Sequence, residues 1–93
     1  MKNIINEIKG LFGRYEPNYE YWVNREKIKV NPNWRKTRIG KQKFSRKIRY
    51  WYKTGDFESP IILDKDFNLI DGYSSVVIAE LKNIDRVPVY FIE

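Results

Sequence analysis

Between residues 25 and 53 the chain concentrates the side chains best suited to hold a polyanion. Twelve Lys/Arg stand there against one acid, Glu26, a local net charge of +11 in a chain of +6, so the remainder carries −5. Cations at this density point to phosphate contact. Residues 42–54 read as an amphipathic helix, because at 3.6 residues per turn Phe44, Ile48, Trp51 and Tyr52 share a core-facing arc. Lys43, Arg46, Lys47, Arg49 and Lys53 fall on the opposite arc, with Tyr50 among them as a stacking surface for a base. A merely solvated helix face usually mixes in glutamates for i,i+4 pairs, yet no acid lies between Lys27 and Lys53. The loop before the helix, 34–41, adds Arg35, Lys36, Arg38 and Lys41.

A second candidate is the glycine step Gly72-Tyr73-Ser74-Ser75. Free N–H groups and the helix dipole favour an anion where a glycine turn opens a helix, and glycine permits close approach of the backbone. The competing reading is local: Asp71 and Ser74 cap the helix and bind nothing. Other chemistries fare poorly. With no cysteine and no histidine, the chain lacks disulfides, thiol nucleophiles, thiolate metal sites and the commonest general base. Asp64, Asp66 and Asn68 imitate the start of a calcium loop, but Leu69 stands where that loop needs glycine and Ser75 where it needs a bidentate glutamate. A hairpin turn explains them better. A metal-dependent nuclease would have to draw on Asp64, Asp66, Asp71 and Glu80, which the expected elements keep apart.

These residues are expected to sit on an α+β domain with a small mixed sheet. The last third supplies a hairpin from strands at 60–63 and 68–70, joined by a polar turn with Phe67 exposed. A helix over 74–82 follows, with Tyr73, Val77, Ile78 and Leu81 on one face and Asn83 as its stop, then a strand at 87–92. Upstream, 27–30 alternates as a further strand with Ile28 and Val30 pointing one way. Residues 14–23 read as an aromatic loop, with Trp22 packed inward and Tyr19 open. The segment 3–12 has Ile4, Ile5, Ile8, Leu11 and Phe12 at helical spacing, with Asn3 as cap and Gly13 as stop. The expected division is 1–25 as an extension of helix and aromatic loop, and 26–93 as the domain proper.

The order Ser59-Pro60-Ile61-Ile62-Leu63-Asp64, Leu69-Ile70-Asp71-Gly72-Tyr73 and Val87-Pro88-Val89-Tyr90-Phe91-Ile92 resembles the ParB N-terminal domain and the wider ParB/sulfiredoxin superfamily. Lys27 to Pro32 is similar to that family's first strand, and Phe44 to Thr54 to the helix before its "G.f..PI" segment, here Gly55 to Ile61. The resemblance covers about residues 26–92. It implies the ParB/sulfiredoxin-like fold with an added N-terminal helix, and an arginine near a phosphate in the loop, at Arg35 or Arg38. It also marks departures. CTP-binding ParB proteins carry Gly-Glu-Arg-Arg at the glycine step and sulfiredoxins Gly-Cys-His-Arg. Tyr73 replaces the sulfiredoxin nucleophile, and Ser74 and Ser75 replace the phosphate-binding arginines, leaving Gly72 to Ser75 as a reduced, vestigial anion site.

The expected function is a non-catalytic nucleic-acid-binding module of phage or mobile-element type, contacting phosphates through the basic helix, DNA ahead of RNA. The alternatives are a small phage protein that binds and inhibits a host nucleic-acid machine or defence protein, and a residual nucleotide-binding or nuclease domain. No cofactor, metal or membrane partner is expected. The chain should be cytoplasmic, as monomer or homodimer.

Overall fold

In the computed structural model the described residues are 15–92; the expected helix over 3–12 lies outside them. Among the described residues four short strands form one mixed sheet in the order β1-β4-β2-β3. The strands are β1 (Tyr21–Asn24), β2 (Ile61–Leu63), β3 (Leu69–Asp71) and β4 (Arg86–Phe91). Three helices accompany them: α1 (Pro32–Arg35), α2 (Lys41–Thr54) and α3 (Tyr73–Leu81). This is the α+β class with packed helices that the sequence implies.

β4 is the hub. It runs parallel to β2, with Ile61 opposite Val89 and Leu63 opposite Phe91, and antiparallel to β1, with Tyr21 opposite Val89 and Asn24 opposite Arg86. The crossover from β2 to β4 passes through the β2–β3 hairpin and α3. One face of the sheet gathers Tyr21, Val23, Ile61, Leu63, Leu69, Val87, Val89 and Phe91, and Val76 and Ala79 of α3 close over it. Ile61, Leu63, Val87 and Val89 are at most 1% exposed, and burying each such side chain contributes about 1.5–3 kcal/mol. Tyr15 stacks on Phe91 at 4.1 Å and meets Tyr21 and Phe67 edge-on, closing one end of the core.

Three expectations change. The edge strand lies at Tyr21–Asn24, not at 27–30, so the sheet takes a strand from upstream of residue 26. Asn24 accepts a hydrogen bond from the Glu26 N–H and starts a 3₁₀ turn over Arg25–Lys27, which ends the ladder. Ile28 and Val30 do turn towards the core, but the backbone there makes a single parallel bridge, Lys29 to Asn68. Trp22 is on the outer sheet face, half-buried, its indole N–H donating to Glu20, and its neighbours Tyr21 and Val23 fill the core. Phe67 packs against the core instead of standing exposed, although its φ is +67°.

α3 begins at Tyr73 and ends before Asn83, whose φ of +54° is the left-handed stop the sequence suggests. Its buried side is Ser74, Ser75, Val76, Ile78 and Ala79, whereas Leu81 is 60% exposed. The expected face through Tyr73, Val77 and Leu81 is therefore rotated. With apolar residues nearly all round, the period could not fix which side met the sheet.

Candidate nucleic-acid interface and the glycine step

α2 is a 14-residue helix closed by Gly55, whose φ of +78° lets its N–H reach the Trp51 carbonyl at 2.8 Å. It packs chiefly on α3, and among the described residues the apolar core cluster takes nothing from it. Phe44, Ile48 and Trp51 are half-buried, as the inward arc requires. Tyr52, read as core-facing, is instead 63% exposed, with the Lys82 ammonium 4.5 Å above its ring. The buried arc is rotated from the expected one and centres on Phe44, Lys47, Ile48 and Trp51, within about 100° of the circumference.

Lys47 is the largest departure from the sequence reading. Placed on the solvent face there, it is only 8% exposed in the structure. Its ammonium donates to Ser59 Oγ at 2.5 Å and to Ser74 Oγ at 3.1 Å, tying α2 to the loop before β2 and to the first turn of α3. Burial holds its pKa below the usual lysine value, Lys43 and Arg46 push the same way, and Glu58 and Asp71 oppose. The spacing held a clue: Lys47 follows Phe44 by three residues and precedes Trp51 by four, so it shares their stripe.

The other cations of α2 lie on its outer side. Lys41, Lys43, Arg46, Arg49 and Lys53 are all exposed, as is Tyr50, and Gln42 and Ser45 share the outer surface of α2 with them. Arg46 meets Glu58 at 3.1 Å in a surface ion pair. Pairs this exposed contribute about 0–1 kcal/mol, so a phosphate could displace the carboxylate.

Lys36 and Arg38 are exposed in the preceding loop. Arg35 is exposed as well, but its guanidinium is already engaged. Its guanidinium forks onto Glu80 of α3 at 2.6 and 2.7 Å and lies 5.5 Å from the Tyr73 ring centre. The carboxylate holds the Arg35 pKa well above its usual value. Trp34 meets Tyr73 edge-on at 5.7 Å. α1 thus meets α3 at both ends, with two ring contacts to Tyr73 in the first turn and an ion pair to Glu80 in the last.

The glycine step is closed upon itself. Gly72 has a φ of +90°, and a Cβ there would lie 2.3 Å from the Pro60 carbonyl oxygen and 2.8 Å from Ile61 Cα. The approach of β2 by itself requires glycine here. No side chain caps α3; Asp71 instead accepts from the Gly72 N–H at 2.8 Å. Ser75, 1% exposed, donates to the Ser59 carbonyl at 2.5 Å, and Ser74, 7% exposed, accepts from Lys47. Tyr73 is half-buried under Trp34 and Arg35.

The acidic residues of the hairpin serve the turn. Asp64 accepts from the N–H groups of Asp66 and Asn68, each at 2.9 Å, and from the Asn68 side chain at 3.0 Å. Those bonds, Asn68 first, hold its pKa below the usual carboxylate range. Among the described residues no three His, Cys, Asp or Glu side chains converge as a metal site, and no helix is long and apolar enough to cross a membrane.

No family model matches the sequence, and no curated protein matches it. Among solved structures, the C2221 form of a pNOB8-like ParB N-domain superposes with a TM-score of 0.64 over 77% of this chain at 21% identity. A second pNOB8-like ParB N-domain structure gives 0.59 over 80% of the chain at 22% identity. The match takes in 28% of each of those chains. At this identity the likeness is one of fold: the chain has a ParB N-terminal domain-like fold. The parallel pairing of β4 with β2 is the feature on which that assignment most depends, and it is present.

Proposed function

We propose that this ParB-like module binds nucleic acid, with the outward cations of α2 and the loop cations Lys36 and Arg38 contacting phosphates. One observation carries the reading. α2 stands off the sheet with Lys41, Lys43, Arg46, Arg49 and Lys53 exposed and no acid in its own sequence. Such a face releases counterions when it meets a phosphate backbone. Fluorescence anisotropy with labelled DNA and RNA oligonucleotides at two salt concentrations tests it. Binding that weakens steeply with salt is the expected result. A chain that binds neither polymer at the lower salt overturns the reading and turns attention to a protein partner, sought by capture from nuclease-treated lysate.

A second reading, anion binding at the start of α3, is favoured by Lys47 alone. It is a buried ammonium beside a helix N-terminus, with hydroxyls and no carboxylate as hydrogen-bond partners. A phosphate there would have to displace Ser59 or Ser74 from the lysine. Thermal stabilisation of the parent by inorganic phosphate, absent in Lys47→Met, supports this reading; equal response of the two proteins rejects it.

A further inference from the structure

We propose that α2 enters the major groove of duplex DNA, with Gln42, Arg46, Arg49 and Lys53 facing base edges; this rests on the nucleic-acid reading above. Phe44, Lys47, Ile48 and Trp51 define the inward side of α2. The diametrically opposite line then runs through Gln42, Arg46, Arg49 and Lys53, spaced four, three and four apart and lying within about 60° of one another. All of them are exposed. Gln42 was no part of the cationic reading of the sequence; only the observed rotation of the helix puts it on the apex. Glutamine pairs bidentately with adenine and arginine or lysine with guanine, so the apex carries side chains that read base edges.

The flanks fit the walls of the same groove. Lys43 and Tyr50 lie on one side of the apex, Lys41 and Ser45 on the other, all exposed. Phosphate-binding groups on both flanks of a convex helix call for phosphates on both sides of it. The B-form major groove, about 12 Å wide, provides them and admits an α-helix. From Gln42 to Lys53 the apex extends about 16 Å at 1.5 Å per residue, about five base steps of 3.4 Å.

Other nucleic acids fit less well. The major groove of A-form RNA is too deep and narrow for side chains to read. A single strand calls for a cationic groove with successive aromatic platforms. The two exposed rings of α2, Tyr50 and Tyr52, are on opposite flanks, and Tyr52 already carries Lys82.

The test titrates the full chain against four labelled probes of one sequence: a DNA duplex, an RNA duplex, single-stranded DNA, and the DNA duplex with bulky groups on C5 of its pyrimidines, which fill the major groove. The unmodified DNA duplex should bind tightest, by about tenfold or more over each of the others. In selection from randomised duplexes, Gln42→Ala and Arg49→Ala should relax preference at particular positions. Lys43→Ala should weaken all sequences alike and reduce the salt slope by about one. Equal affinity for the RNA duplex, the single strand or the groove-filled duplex overturns the proposal while leaving nucleic-acid binding intact. Failure to bind any probe at low salt overturns the underlying reading instead.

Discussion

α2 and the first turn of α3 both carry the composition of an anion site, and the fold treats them in opposite ways. α2 keeps its cations outward, on a helix that leans on α3 and contributes nothing to the described core. The glycine step spends its special residues internally: Gly72 on the approach of β2, Ser75 on the Ser59 carbonyl and Ser74 on Lys47. Polar groups stay open to solvent at one place and are used for cohesion of the fold at the other. What separates them is whether neighbouring backbone has already taken up the hydrogen-bonding groups.

The largest expected effect is on α2. Reversing Arg46 and Arg49 to glutamate should leave the fold intact, since both are exposed and surface changes seldom alter stability by more than about 0.5 kcal/mol. Nucleic-acid affinity should fall by about a hundredfold or more, because two groove-facing cations become carboxylates that the polyanion repels. A folded double variant with parental affinity would break the comparison by showing α2 to be inert.

Gly72→Ala tests the opposite region. On the sequence alone, this change should weaken anion binding. In the structure the added Cβ collides with the Pro60 carbonyl oxygen at a φ of +90°. A loss of about 3 kcal/mol or more in folding stability is therefore expected, read by urea unfolding. A variant that keeps parental stability but loses anion binding would restore the ligand reading of the step.

Glu58→Gln sharpens the contrast at smaller scale. Glu58 is the carboxylate that Arg46 meets, at 3.1 Å. Its neutralisation should tighten nucleic-acid binding by about two- to fivefold, the range of a surface ion pair. Unchanged affinity would mean that Arg46 does not exchange Glu58 for nucleic acid.

The smallest effect concerns Lys47. Replacement by methionine should change stability by no more than about 1 kcal/mol near neutral pH, because the burial penalty of the ammonium and its hydroxyl bonds offset one another. Its lowered pKa gives the pH dependence a sign. The folded chain releases this proton at lower pH than the unfolded chain. The contribution is thus complete above the unfolded value and is lost as pH falls through the folded one. The melting temperature of the parent relative to Lys47→Met should rise as pH climbs towards the ordinary lysine value of 10.5. Parallel curves would show that Lys47 titrates alike in both states.

By itself the sequence determined the α+β class, the β2–β3 hairpin, a closing strand at β4, the helices α2 and α3 and the concentration of cations on α2. These follow from local rules: period-two and period-3.6 patterning, glycine and asparagine stops, and charge density. Tertiary structure decided the rest. It chose Tyr21–Asn24 as edge strand because β4 needed a partner there and the Arg25–Lys27 turn ended the ladder, which no local pattern in 27–30 reveals. It rotated α2 so that Lys47 turned inward and Tyr52 outward, because two serine hydroxyls brought from residues 59 and 74 could hold an ammonium. It also closed the glycine step, since the backbone of Pro60 and Ile61 reaches Gly72 only once β2 and β3 pair. Helical spacing locates a stripe to within a residue or two, and partners distant in sequence settle which of its members face inward.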